Sequence, residues 1–236
     1  HIRAGDTYQV NYTFQRSADY VGDPRALFHR FAKDAPYAAY IELEDYAICS
    51  ASPELFLSRH DQVLRSSPIK GTARVASELL EKDQTENIMI VDLMRNDLGM
   101  ICKSGTVEVT QLLYSQDHPG LQHLVSDVEG DLVDGISWSD IFRAVSPPGS
   151  VSGAPKSSAL STISENENPR GPYCGALGWV QGDRAELSVA IRIFWKNEKL
   201  NFGTGAGITW GSEPLAEWEE TQLKARKLIS IAGGNL

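Results

Sequence analysis

The chain has 236 residues, 42% of them hydrophobic and 22% charged, a balance that suits a globular protein with a sizeable buried core. Its net charge of −9 argues against a nucleic-acid partner, and no run of about 18 apolar residues or charged-then-apolar leader marks a membrane span or signal segment. Three cysteines, Cys49, Cys102 and Cys174, with no CxxC pair, argue against a disulfide framework or zinc site and for a reducing, cytoplasmic setting.

The sequence enters patterned structure directly from His1, which reads as a piece cut from a longer protein. Residues 1–236 are expected to form one catalytic domain. Tyr8–Thr13 alternates with period two, and Tyr37–Ile48 does the same around a reversal at Glu44-Asp45. Between them, Pro24–Ala32 reads as a short amphipathic helix with Asp23 as N-cap. Leu55–Leu57 and Val63-Leu64 flank a polar turn at Arg59–Gln62 and predict a hairpin.

A long helix is expected over Glu78–Met94, ended by Gly99, with Leu79, Ile90 and Leu93 inward. Leu112–Val128 reads as strand and turn, and Ser139–Val145 as a helix. Ser146–Lys156 is rich enough in Pro, Gly and Ser to predict a loop, followed by a helix over Ser157–Ile163. Arg184–Trp195 and Leu200–Phe202 read as a hairpin turned at Lys196–Lys199, with a glycine-rich bend at Gly203–Gly207. The last helix is expected to run from Ser212, as N-cap, to Ile231, stopped by Gly233-Gly234. Hairpin-joined strands with helices grouped between them predict an α+β fold with antiparallel sheet.

Two acidic pairs stand out, Asp83 with Glu86 and Glu217 with Glu220. Spacing of three residues puts each pair on one helix face. Four such carboxylates brought together would repel one another unless a hard divalent cation such as Mg²⁺ sat among them; the plain alternative is two solvated helix faces. Lys70, between Ile69 and Gly71 after a strand, is either a buried amine with nucleophilic potential or a snorkelling surface lysine. Glu54, before an apolar strand, is either a general acid or a turn carboxylate. The Gly203–Gly207 run lacks the βαβ context of a dinucleotide fingerprint, but its amides can cup an anion, and Arg192 can pair with a carboxylate. His123 is either a site residue or a satisfied core histidine.

The combination of segments is more specific than any one of them. They are Pro68-Ile69-Lys70-Gly71-Thr72, Glu86–Gly99 (ENIMIVDLMRNDLG), Gln122–Ser126 (QHLVS), Ser152–Lys156 (SGAPK), Arg170–Ala176 (RGPYCGA) and Ala190-Ile191-Arg192. In this order they resemble the chorismate-utilising enzymes over nearly the whole chain, from about Gly5 to Ile231. That resemblance implies an antiparallel β-sandwich with helices, chorismate as substrate and Mg²⁺ as cofactor. It implies Glu86 and Glu220 as direct metal ligands, with Asp83 and Glu217 holding metal-bound water. It implies Arg192 and Tyr173 on the enolpyruvyl carboxylate, and the amides of Gly205, Ala206 and Gly207 with Ser150 and Thr72 in the rest of the substrate cradle. His123 is implied beside the ring, Glu54 as the acid that protonates the departing C4 hydroxyl, and Lys156 at the cleft.

Lys70 is implied to separate the branches of the family. The anthranilate synthases carry Ala at this place in the motif and add ammonia at C2. The aminodeoxychorismate synthases carry Lys, whose amine attacks C2 before ammonia attacks C4 and expels it, which is the reaction expected here. The resemblance implies ammonia from a glutamine amidotransferase, subunit or fused domain, and with no Cys-His-Glu glutaminase pattern in this sequence that activity is expected to lie elsewhere. Family members usually carry an N-terminal half that has no counterpart here, and the stretch Ala73–Leu79 is shorter than usual. The alternative from a different class is a non-catalytic chorismate-binding module.

Overall fold

A computed structural model describes residues 1–73, 81–118 and 121–234. The chain divides into two compact units, each formed from separated stretches of sequence. Unit 1 comprises His1–Pro53, Val151–Gly175 and Ala190–Leu236; unit 2 comprises Glu54–Ser150 and Ala176–Val189. Every strand pairing within them is antiparallel, as expected for an α+β fold built from hairpins. Among the described residues no helix is long and apolar enough to cross a membrane.

Among the described residues, unit 1 is a six-stranded sheet with three helices. Its strands are β1 (Gln9–Ala18), β2 (Tyr37–Leu43), β3 (Tyr46–Ser52), β9 (Gly153–Ala154), β12 (Ile193–Lys196) and β13 (Leu200–Thr209), in the order β2-β3-β12-β13-β1-β9. Helix α1 (Pro24–Phe31) starts where Asp23 accepts from the Arg25 amide, so the expected N-cap is in place. Helix α5 (Pro214–Ile231) turns Glu217, Thr221, Ala225 and Ile229 inward, a four-residue spacing that makes one continuous stripe. The apolar end of that stripe joins Leu27, Cys49, Phe194, Leu200 and Phe202 in a core cluster. Within it Phe194 and Phe202 are 4.9 Å apart and Phe31 stands edge-on to Phe194. Helix α4 (Lys156–Asn166) packs on β1 and β9.

Among the described residues, unit 2 is a seven-stranded sheet of β4 (Leu55–His60), β5 (Val63–Ser67), β6 (Ile69–Ala73), β7 (Glu108–His118), β8 (Leu121–Asp131), β10 (Ala176–Gln181) and β11 (Arg184–Val189), in the order β10-β11-β4-β5-β8-β6 with β7 on β8. Helix α2 (Glu81–Gly99) lies on β6, β7 and β8, burying Asn87, Ile90, Val91, Met94, Asp97 and Leu98. Helix α3 (Trp138–Val145) is capped by Ser137, whose hydroxyl accepts from the Asp140 amide.

Four sequence expectations are corrected. Arg184–Trp195 is not one strand: the chain leaves β11 at Val189, takes a left-handed turn at Arg192 (φ 51°) and enters β12 in the other sheet. Gly203–Gly207 is not a bend but the middle of β13, paired with β1 throughout. Ser212 does not cap α5. Its hydroxyl accepts from the Thr209 amide and donates to Glu217, and Glu213 occupies the cap position with no side-chain bond. The Ser146–Lys156 loop contains a 3₁₀ turn at Gly149–Val151 and the two-residue strand β9. The expected helix start at Glu78, the inward Leu79 and the short stretch from Arg74 lie outside the described residues.

Candidate active site

In unit 2 the motif around Lys70 is shaped by one glycine. β6 pairs Lys70 with Leu124 and then Thr72 with His123, so the ladder slips by one residue at Gly71. Gly71 has φ 79°, a left-handed conformation that a side chain disfavours. A Cβ there would sit 2.7 Å from Cβ of Asp83, so the missing methyl group is also what lets α2 bring Asp83 against the strand. The side chain of Thr72 lies outside the described residues.

Lys70 itself is not a snorkelling surface residue, since its side chain is only 13% exposed. Its Nζ donates to the carbonyl oxygen of Ser150 at 3.5 Å and lies 3.8 Å from Oε2 of Glu86. Glu86, 14% exposed, has Lys82 Nζ 3.7 Å from its other oxygen, so it stands between two ammonium groups. Glu54 is 4% exposed, and its Oε1 accepts a long bond of 3.5 Å from the Ile69 amide, one residue before Lys70. His123 is buried on β8, opposite Thr72. Ser150 Oγ is buried with no protein partner among the described residues, an orphaned polar atom that a ligand oxygen can satisfy.

Sequence reasoning missed Asn87, one residue after Glu86 and wholly buried. Its amide donates to the carbonyls of Pro68 (3.4 Å) and Leu124 (3.2 Å) and accepts from Ser126 Oγ (2.5 Å). It ties the helix of Glu86 to the strands of Lys70 and His123. The signal was an amide standing at the head of the apolar series Ile90, Val91, Met94.

In unit 1 the open edge of β13 is the feature of interest. β12 covers β13 only at Leu200–Phe202, and beyond that β13 has β1 as its single partner. Alternate amides of Gly203–Thr209 therefore face outside any strand pairing among the described residues, which suits them to an anion. Arg192 stands just before β12, where that cover ends; its carbonyl accepts from the Ala51 amide. Gly205 has no room for a Cβ, which would meet the carbonyl of Tyr12 and the side chain of Thr13. Gly203 likewise gives its place to the ring of Tyr173, which rests on the strand. Burial pushes the Tyr173 phenol well above its ordinary value, with the neighbouring Cys174 adding to the shift, so it acts as a neutral hydrogen-bonding group. Lys156 begins α4.

The acids of α5 differ in setting. Glu217 is buried on the inward stripe and accepts from Ser212 Oγ at 2.6 Å. Glu220 is half exposed and paired with Lys224 at 2.6 Å. Each unit thus carries one of the two acidic pairs, and every donor is a hard carboxylate oxygen of the kind that suits Mg²⁺. Among the described residues no three His, Cys, Asp or Glu side chains form a preassembled metal cage.

Comparison with known proteins bears on both halves. The family model for chorismate binding enzymes matches residues 1–230. The chain is 36% identical to anthranilate synthase component 1 of Saccharolobus solfataricus, over 99% of this chain and 59% of that protein. It is also 36% identical to aminodeoxychorismate synthase component 1 of Salmonella typhimurium, over 97% of this chain and 54% of that protein. Among solved structures, anthranilate synthase component I of Streptococcus pneumoniae superposes with a TM-score of 0.87 at 32% identity, covering 98% of this chain and 54% of that one. The chain spans between about half and three-fifths of the length of these relatives.

Proposed function

The chain belongs to the chorismate binding enzymes, and on that premise we propose that it aminates chorismate at C4, as an aminodeoxychorismate synthase does. Overall identity does not choose between the branches, because aminodeoxychorismate and anthranilate synthase relatives match equally well. The observation that carries the choice is Lys70, drawn into the interior of unit 2 beside Glu86 and one residue from the backbone amide that Glu54 accepts from.

In this reading Lys70 Nζ, deprotonated, forms a bond to C2 of chorismate. Both ring double bonds shift, and the C4 hydroxyl departs as water with the proton of Glu54. Ammonia then bonds to C4, the C2–Nζ bond breaks as both double bonds return, and the amine of Lys70 is regenerated. Arg192 and Tyr173 bind the enolpyruvyl carboxylate, with the amides of Gly205, Ala206 and Gly207, Ser150 and Thr72 forming the rest of the cradle and His123 beside the ring. Glu86 and Glu220 would hold Mg²⁺, with Asp83 and Glu217 on its water. The ion would neutralise the ring carboxylate. Ammonia would come from a glutamine amidotransferase.

The test is to give the intact protein chorismate, Mg²⁺ and ammonium. p-Aminobenzoate appearing only after a 4-amino-4-deoxychorismate lyase is added supports C4 amination; anthranilate fluorescence without the lyase sinks it and leaves the C2 reaction. Lys70→Ala is expected to abolish C4 amination with the fold retained. Unchanged turnover would remove Lys70 from the chemistry. Chelation of Mg²⁺ is expected to stop turnover, and persistence would undo the assignment of the four acids.

A further inference from the structure

The segment that carries Tyr173 is held by buried charges that the chemistry above leaves unused. Glu167 and Arg170 lie between α4 and β10, and both side chains are largely buried. Arg170 Nε donates to one Glu167 oxygen at 2.7 Å and Nη2 to the other at 2.8 Å, a bidentate pair. The same guanidinium donates to the carbonyls of Val151 (2.8 Å) and Asn11 (2.7 Å). Each Glu167 oxygen accepts once more, from the amide and the hydroxyl of Thr13, both at 2.7 Å. Gln15 adds a bond to the carbonyl of Pro169.

Asn11, Thr13 and Gln15 alternate along β1 and so line one face of the sheet. Opposite them on β13 stand Gly207, Gly205 and Gly203. The strand that grips the loop is therefore the strand that sets the register of the glycine segment, and the loop ends in the tyrosine that rests on Gly203. For stability alone such a pair gains little, because desolvation offsets its attraction and apolar residues of equal volume serve as well. What a six-bond cage does supply is a fixed position for the chain between Glu167 and Tyr173.

We propose that Glu167 and Arg170 are positioning residues that fix Tyr173 against β13 so that it can hold an anionic group of the substrate. This rests on the reading of Tyr173 as a carboxylate-binding residue.

The experiment compares Arg170→Lys, Glu167→Gln and Tyr173→Phe in the intact protein, singly and with each positioning variant combined with Tyr173→Phe. Near-UV circular dichroism confirms the fold of each. The expected result is a rise of about tenfold in KM for chorismate in each positioning variant, with kcat changed by less than about threefold. No further rise is expected when either is combined with Tyr173→Phe, because the same contact is already lost. An unchanged KM, or effects that multiply with those of Tyr173→Phe, overturns the proposal. Arg170→Lys keeps the charge but loses the fork; where it does not fold, Glu167→Gln, which keeps the shape, carries the test. Wild-type protein that fails to bind chorismate in an equilibrium titration overturns the site reading and the proposal with it. Wild-type binding with unaffected variants overturns the proposal alone.

Discussion

Gly71 shows how a single residue can fix the relation between a strand and a helix. Its left-handed backbone and its contact with Asp83 both exclude a side chain. Gly71→Ala is expected to cost about 1–2 kcal/mol from the backbone, with about 1–3 kcal/mol more from crowding Asp83. A thermal melt reads that loss, and the Mg²⁺ concentration needed for half-maximal activity should rise with it as Asp83 is pushed aside. A variant with unaltered melt and metal dependence would show that the strand relaxes freely at this point. At this scale the sequence was informative only in part. Lys70, Glu54 and Glu86 were singled out as candidates from motif order, but each had a bland alternative that spacing could not remove. Burial is a property of what packs around a residue, and the neighbours found here, Ser150 and Glu86 for Lys70 and Ile69 for Glu54, are distant in sequence.

At the scale of elements, α2 is seated by an apolar stripe and one buried amide. Ile90, Val91, Met94 and Leu98 supply the apolar stripe, while Asn87 supplies the bonds that select one seating of the helix on β6 and β8. Asn87→Leu removes both donors from the Leu124 and Pro68 carbonyls and the acceptor from Ser126. Pro68 keeps its bond from the Ser126 amide, so fewer groups are orphaned than are cut. A loss of about 2–4 kcal/mol in denaturant unfolding is expected, against about 1 kcal/mol for Ser126→Ala. Equal midpoints for Asn87→Leu and wild type would show that apolar packing alone seats the helix. Helices and hairpins with local signals were legible: the Asp23 cap, the reversal at Glu44-Asp45, and the Gly233 stop after α5 (φ 88°) all stand where the pattern put them. β13 was not, because glycines carry no alternation; they form strand here since β1 and the Tyr173 ring need a surface without side chains. The break after β11 was hidden for a related reason. Arg184–Trp195 is apolar enough for a continuous strand, and only the change of sheet at Arg192 divides it.

At the scale of the molecule, ordered motifs made the family and the antiparallel α+β architecture readable, whereas the division into two units was not. Each unit is assembled from stretches far apart in the chain, and no composition shift marks the crossings. The cysteines sample both units: Cys49 and Cys174 lie in unit 1 and Cys102 in unit 2, all buried and unbonded to one another. Burial pushes the thiol of Cys49 up to about 12, that of Cys102 to about 11 and that of Cys174 to about 12, from an ordinary value of 9.0. Each folded value exceeds the unfolded one, so the folded state holds these protons more tightly. The stability they contribute is therefore complete below about pH 9 and is lost as pH rises through 11 to 12, at about 1.4 kcal/mol per pH unit for each thiol at most. Buried Tyr173, displaced in the same direction, adds to the loss. Native protein at pH 8 should thus react slowly with a thiol-modifying disulfide and expose three groups in denaturant. Denaturation midpoints should hold between pH 7 and 8.5 and fall by pH 10.5, and Cys102→Ala should flatten that fall if unit 2 contributes to it. Rapid native modification, or midpoints level to pH 10.5, would show that these interiors admit water.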